Sequence, residues 1–221
     1  DIVNDDEPGL TPFVIKASNG DLIAGWDTGR GDIMPGGEMH LARSSDLGRT
    51  WQKPYLKLKS DKPLIGFGAC LYNLPDGNWT FGRMMLYTIE CEWQEEPDPS
   101  KPNWASLVSS RKFDSYYSFS DDGGYTFSEK ILLSDPNKRN DFAQGSIIEL
   151  PNGDLLWPWG WWGEKPLNGF RRSTDGGKTW GAVERAWQDP PPGYEKPITF
   201  NETAAAVCKD GSIITVARVD G

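Results

Sequence analysis

Among the residues able to do chemistry, three carboxylates stand in a repeating frame. Asp46, Asp122 and Asp175 each occupy the pattern Ser-x-Asp-x-Gly-x-Thr followed by Trp or Phe, in SSDLGRTW (44–51), SDDGGYTF (120–127) and STDGGKTW (173–180). An Asp just ahead of a glycine turn accepts hydrogen bonds from backbone N–H groups of its own loop. That is fold-stabilising chemistry rather than acid–base chemistry. The fragments DDGG and TDGG also faintly resemble a calcium loop, but the alternating ligand series and closing Glu of an EF-hand are absent.

Other reactive types are scarce. His40 is the one histidine of the chain, which argues against His-dependent catalysis and multi-histidine metal sites; it reads as a strand residue. Cys70, Cys91 and Cys208 show no zinc-ligand spacing, and an odd count is no disulfide framework. No metal motif is visible. Acidic residues outnumber basic ones by 32 to 23, a net charge of −9. With no basic stripe to release counterions, a nucleic-acid partner is not expected. An acidic small ligand stays open, because a local arginine cluster can override the global field. No apolar run reaches membrane-spanning length. The stretch beginning at Asp1 has no signal-peptide pattern, as expected of a mature or cropped terminus.

The elements that must position these groups are strands. Two apolar runs flank a Gly turn in PFVIKASNGDLIAGW, ACLYNLPDGNWTFGRMMLY, GSIIELPNGDLLWPW and AAAVCKDGSIITVAR. The dipeptides Asn19-Gly20, Asp76-Gly77, Asn152-Gly153 and Asp210-Gly211 predict hairpins with type I′ turns. A third run, GEMHLARS, SYYSFS or NGFRRS, leads into each Asp frame, whose Thr and aromatic residue are expected to open a fourth strand. Four antiparallel strands, repeated, describe the blades of an all-β propeller. The blades are expected at about 9–57, 64–133, 142–186 and 198–221, the last holding two strands. A propeller must close on itself, so about three and a half four-stranded blades predict a partial domain over 1–221, with C-terminal blades missing. The alternative is an unusual small closed fold. The long connections 90–108 and 186–200 are either ligand-contacting loops or plain solvent-exposed connectors.

The three frames, with their strand context, resemble the Asp-box (BNR) repeats of the sialidase, or neuraminidase, superfamily, and the resemblance spans nearly the whole chain. It implies a six-bladed β-propeller of sialidase type. A sharper match is FNETAAAVCKDGSIITVAR (200–218). It looks like the stretch in which an Asn-Glu pair begins a strand and an Arg ends the next. The resemblance implies that Glu202 pairs with a nucleophilic tyrosine and that Arg218 belongs to the arginine triad holding the sialic acid carboxylate. A guanidinium fork binds a planar carboxylate bidentately, and a carboxylate beside a phenol can take its proton.

In GWDTGRGDIMPGG the match implies Arg30 as a second triad arginine and Asp32 as the acid/base, with Asp27 a poorer candidate. The family's Arg-Ile-Pro is replaced by GLTPFV, so Leu10 or Thr11 stands where the first triad arginine would be. The third arginine and the tyrosine are expected beyond Gly221. The run WPWGWW ends a second strand where family loops border the pocket. Trp161 and Trp162 are candidates for stacking on a sugar, whereas packing is the expected fate of most of the run. The sequons at Asn78 and Asn201 read as coincidental.

The resemblance implies an exo-acting glycoside hydrolase that removes sialic acid from a glycan or glycoconjugate, without a cofactor, at a secreted, periplasmic or cell-surface location. Two alternatives stay open. One is a non-catalytic Asp-box propeller binding carbohydrate or protein. The other is a related propeller enzyme acting on uronic-acid-containing glycans.

Overall fold

The computed structural model describes residues 10–28, 38–53, 55–58, 70–74, 83–93, 111–135, 141–161, 167–186, 193 and 199–220. They fall into two compact units, 1–139 and 140–221. All regular elements among the described residues are strands, and every pairing is antiparallel.

The first unit holds two four-stranded sheets. One runs β1 (Leu10–Lys16), β2 (Leu22–Asp27), β3 (Met39–Ser44), β4 (Leu56–Leu58) in chain order. The other runs β5 (Cys70–Asn73), β6 (Met84–Trp93), β7 (Arg111–Ser120), β8 (Ile131–Leu132). Ile23, Met39 and Leu41 of one sheet and Leu71, Met84 and Leu86 of the other form a shared core. Gly25 lies opposite Phe13, whose ring covers it so closely that a Cβ there would collide with the ring. Arg43 ties the two sheets together. It is fully buried, donates to the Gly123 carbonyl, and lies 4.2 Å from the centroid of the Tyr125 ring. The Tyr55 hydroxyl adds a bond to the Gly124 carbonyl at 3.0 Å.

In the second unit β9 (Asp141–Ala143) and β10 (Ile148–Glu149) both pair with β11 (Leu155–Trp161), which continues to β12 (Leu167–Ser173) and β13 (Glu184–Arg185). Trp157 and Trp159 are fully buried and pack edge to face at 4.9 Å between centroids, so these two members of the Trp run are core. Beside this sheet β14 (Thr199–Val207) and β15 (Ile213–Asp220) form a hairpin, whose Ile214 and Val216 are exposed.

The hairpin turns fall where expected but are of another type. Gly20 N–H bonds to the Ala17 carbonyl at 2.9 Å and Ala17 N–H to the Asp21 carbonyl at 2.8 Å, and Gly20 has φ 93°. Asn19 is not left-handed. The same pair of bonds closes Leu150–Asp154 and Cys208–Ser212. This is the three-residue loop whose last position is a left-handed glycine, not the two-residue type I′ turn. The Asp after the Asn-Gly pair then takes a fixed partner: Asp21 receives Arg43 at 3.1 Å and Asp154 receives Arg172 at 2.8 Å. The turn at 76–77 lies outside the described residues.

The Asp frames do what their spacing predicts. Thr50 donates to Asp46 through its N–H at 2.8 Å and through its hydroxyl at 2.6 Å, and Ser44 Oγ bridges Asp46 to the Gly48 N–H. Asp122 and Asp175 repeat the scheme with Thr126 and Thr179. The aromatic residue does not itself open a strand. A backbone bond joins the residue after it to the third strand (Gln52 to Arg43, Ser128 to Phe119, Gly181 to Arg172), and regular pairing resumes only at β4, β8 and β13.

These bonds stabilise the charged carboxylates. The Thr50 bonds bring Asp46 down to about 2. At Asp122 partial burial pushes upward, but the Thr126, Ser120 and Tyr125 bonds outweigh it and bring the carboxyl to about 2. A carboxyl lowered on folding contributes stability above its unfolded value of about 4, and that contribution is lost as pH falls toward about 2. Asp122→Asn should therefore lower the melting temperature at pH 7 and flatten its decline between about pH 4 and 2. Unchanged acid unfolding in the variant would show that the box carries no charge-dependent stability.

Candidate active site

Two candidate residues of the second unit, Glu202 and Arg218, meet at one end of β14–β15. Asn201 pairs with Arg218 and Ala204 with Val216, so one extra residue is inserted on β14 between them. Such a bulge re-aims side chains. Glu202 takes it up with φ 46°, a left-handed conformation that a non-glycine residue adopts at a cost of about 1–3 kcal/mol. Its carboxylate, 63% exposed, accepts a 2.5 Å bond from Arg218 Nη1, whose side chain is 49% exposed. Thr203, next in the chain, turns inward and is buried, with its carbonyl packed so closely on Gly145 that no Cβ would fit there. An exposed ion pair contributes about 0–1 kcal/mol, too little to offset that backbone strain. Outliers of this kind cluster at ligand-handling sites.

In the neighbouring sheet Asp141 Oδ2 accepts Arg171 Nη2 at 2.7 Å and Trp159 Nε1 at 3.2 Å, all three side chains being buried. The Arg171 guanidinium lies 4.7 Å from the centroid of the Trp159 ring and also bonds to the Gly181 carbonyl at 2.8 Å. Trp161 closes β11 opposite Asp141 in register. Its side chain, and all of Trp162, lie outside the described residues.

In the first unit Arg30 and Asp32 lie outside the described residues. Asp27, at the end of β2, is buried. β1 begins at Leu10, opposite Asp27, where the resemblance would place an arginine. At the start of β3 lies a pair the residue-by-residue reading missed: Glu38 Oε2 is 3.3 Å from Nε2 of His40. The period of two in a strand puts residues 38 and 40 on one face, and this was the available signal. Among the described residues no cluster of three His, Cys, Asp or Glu side chains could hold a metal ion. No helix among them is long and apolar enough to cross a membrane.

The all-β, antiparallel fold of the chain is similar to that of solved sialidase and arabinanase propellers. The chain is similar to a protein of unknown function from Dyadobacter fermentans, with 21% identity, a TM-score of 0.74, and cover of 99% of this chain and 64% of that one. It is similar to the intramolecular trans-sialidase of Ruminococcus gnavus, with 15% identity, a TM-score of 0.67, and cover of 99% and 68%. It is also similar to the alpha-L-arabinanase of Penicillium chrysogenum, with 17% identity, a TM-score of 0.62, and cover of 98% and 60%. No family model and no curated protein matches the sequence. The chain thus spans roughly two thirds of the length of these structures, and at such identities the likeness is one of fold.

Proposed function

We propose that the chain supplies part of an exo-acting glycoside hydrolase that removes a terminal acidic sugar, sialic acid, from a glycan. The observation that carries the reading is the Glu202–Arg218 pair, held at a strained bulge on a fold shared with the R. gnavus trans-sialidase. Arg218, together with Arg30, holds the substrate carboxylate through its guanidinium fork. Glu202 takes the proton of a nucleophilic tyrosine, and Asp32 is the acid/base candidate that the family resemblance supplies. Trp161 and Trp162 are the candidates for stacking on the sugar. The reading needs a nucleophilic tyrosine facing Glu202, and the exposed Ile214 and Val216 leave one face of β14–β15 for further strands to cover. No cofactor takes part, and a glycan substrate suits a secreted, periplasmic or cell-surface site.

Leu10 and Thr11, in place of a triad arginine, favour a second reading, in which the acidic sugar is a uronic acid. The test is to assay the full-length protein on aryl α-sialosides and aryl uronides and, in parallel, on a glycan array. Release of phenol from the sialoside alone supports the first reading, and release from the uronide alone the second. Retention on the array with no turnover of either overturns both in favour of a binding module.

A further inference from the structure

We infer that Gln144 and Asn168 form a sugar-reading subsite near the Glu202–Arg218 pair, in which the Asn168 amide donates to a substrate oxygen, either a hydroxyl or an acyl carbonyl; the inference rests on the hydrolase reading. The Trp run of β11 is interrupted at Gly160, which pairs with Phe142 of β9 and Asn168 of β12. A glycine inside a strand marks a close approach, and here the approaching group is an amide. A Cβ on Gly160 would collide with Gln144 Nε2 and stand 2.9 Å from Asn168 Oδ1. In the space so kept, Gln144 Nε2 donates to Asn168 Oδ1 at 3.2 Å. With its oxygen held this way, Asn168 presents its NH2 group, and the side chain is only partly buried. Such a neutral donor suits a sugar oxygen, because it adds no charge beside the carboxylate that Arg218 would hold.

The amide pair is rigidly held and seated on the hairpin that carries Glu202. Gln144 N–H donates to the Pro158 carbonyl at 2.9 Å, and the Gly145 carbonyl accepts Trp157 Nε1 at 3.1 Å. Gly145 lies so close against the Thr203 carbonyl that its lack of a Cβ is required there. Gln144 directly precedes Gly145, and Glu202 directly precedes Thr203, so the amide and the strained glutamate flank one backbone contact. Stability does not account for the arrangement. A neutral side-chain hydrogen bond contributes little net, and a glycine within a strand takes about as much away. Recognition does account for it, since a group that reads a ligand must have its rotamer fixed in advance.

The test uses the full-length protein on an aryl α-sialoside and an aryl uronide, each with analogues lacking one hydroxyl and, for the sialoside, one lacking the N-acyl group. Wild type should prefer the parent sugar over one of these analogues by about 10-fold or more in kcat/KM, because a site built to bond a polar group penalises its loss. Asn168→Ala and Gln144→Ala should each erase most of that preference, through KM more than kcat. Gly160→Ala should do the same by displacing the end of the flexible Gln144 side chain, with the melting temperature nearly unchanged. Adding Gln144→Ala to Gly160→Ala should cost nothing more, since both act through one group. The analogue whose penalty disappears tells a hydroxyl from an acyl carbonyl. Variants that melt earlier yet keep the full preference overturn the subsite in favour of a structural pair. Wild-type protein that cleaves neither glycoside overturns the hydrolase reading and the subsite with it. An active wild type that penalises no analogue, or whose preference survives Gly160→Ala and Asn168→Ala, overturns the subsite alone.

Discussion

Arg171→Ala should lower the free energy of unfolding by about 3–5 kcal/mol, the usual cost of leaving one member of a buried ion pair uncompensated. Arg171 closes three contacts at once: the Asp141 carboxylate, the Gly181 carbonyl and the face of Trp159. Truncation leaves Asp141 buried without this cation, the Trp159 N–H still holding the same carboxylate oxygen. It also opens a void beside an indole packed on Trp157. The measurement is a denaturant titration followed by Trp fluorescence, with Asp141→Asn and the double variant Arg171→Met with Asp141→Asn alongside. Removing both charges should recover a large part of the loss, because an apolar replacement of a whole buried pair is often neutral. A single variant within about 1 kcal/mol of wild type would show that the pair is not desolvated in solution.

Local chemistry was legible in the sequence wherever donor and acceptor lie within one loop. Ser44, Asp46, Gly48 and Thr50 are spaced so that one short turn satisfies them all, and the structure closes the bonds their spacing implies. Hairpin positions were legible for the same reason. The turn type was not, because Asn-Gly serves both the two-residue loop and the three-residue loop, and flanking register decides between them. Partners far apart in the chain left no trace: Arg171 and Asp141 are separated by 30 residues and Arg43 from Gly123 by 80. The bulge at 201–204 was invisible as well, since a left-handed position usually advertises itself with Gly or Asn and here carries Glu202. His40 was read as an isolated residue, although the strand period of two already placed Glu38 on the same face.

Arg218→Ala should lower kcat/KM on the acidic substrate on the order of 100-fold or more, while leaving the melting temperature nearly unchanged. Losing a charged hydrogen-bond partner of a desolvated carboxylate costs about 2–5 kcal/mol, whereas an exposed ion pair in the free protein is worth about 0–1 kcal/mol. The two effects separate because the guanidinium is half exposed in the free protein, so its loss costs the fold little. The loss should appear mainly in KM and should vanish for a substrate whose carboxylate is converted to an amide, since that substrate never used the fork. Arg218→Lys should recover little, because a single ammonium cannot reproduce two parallel N–H bonds. Glu202 gives the complementary result. Glu202→Gly relieves the left-handed strain at φ 46° and should raise stability by about 1 kcal/mol while kcat falls, the trade expected where backbone strain is kept for function. An Arg218→Ala enzyme with kcat and KM both unchanged, or a Glu202→Gly enzyme that gains stability at full activity, would strip the pair of its role and return β14–β15 to plain scaffold.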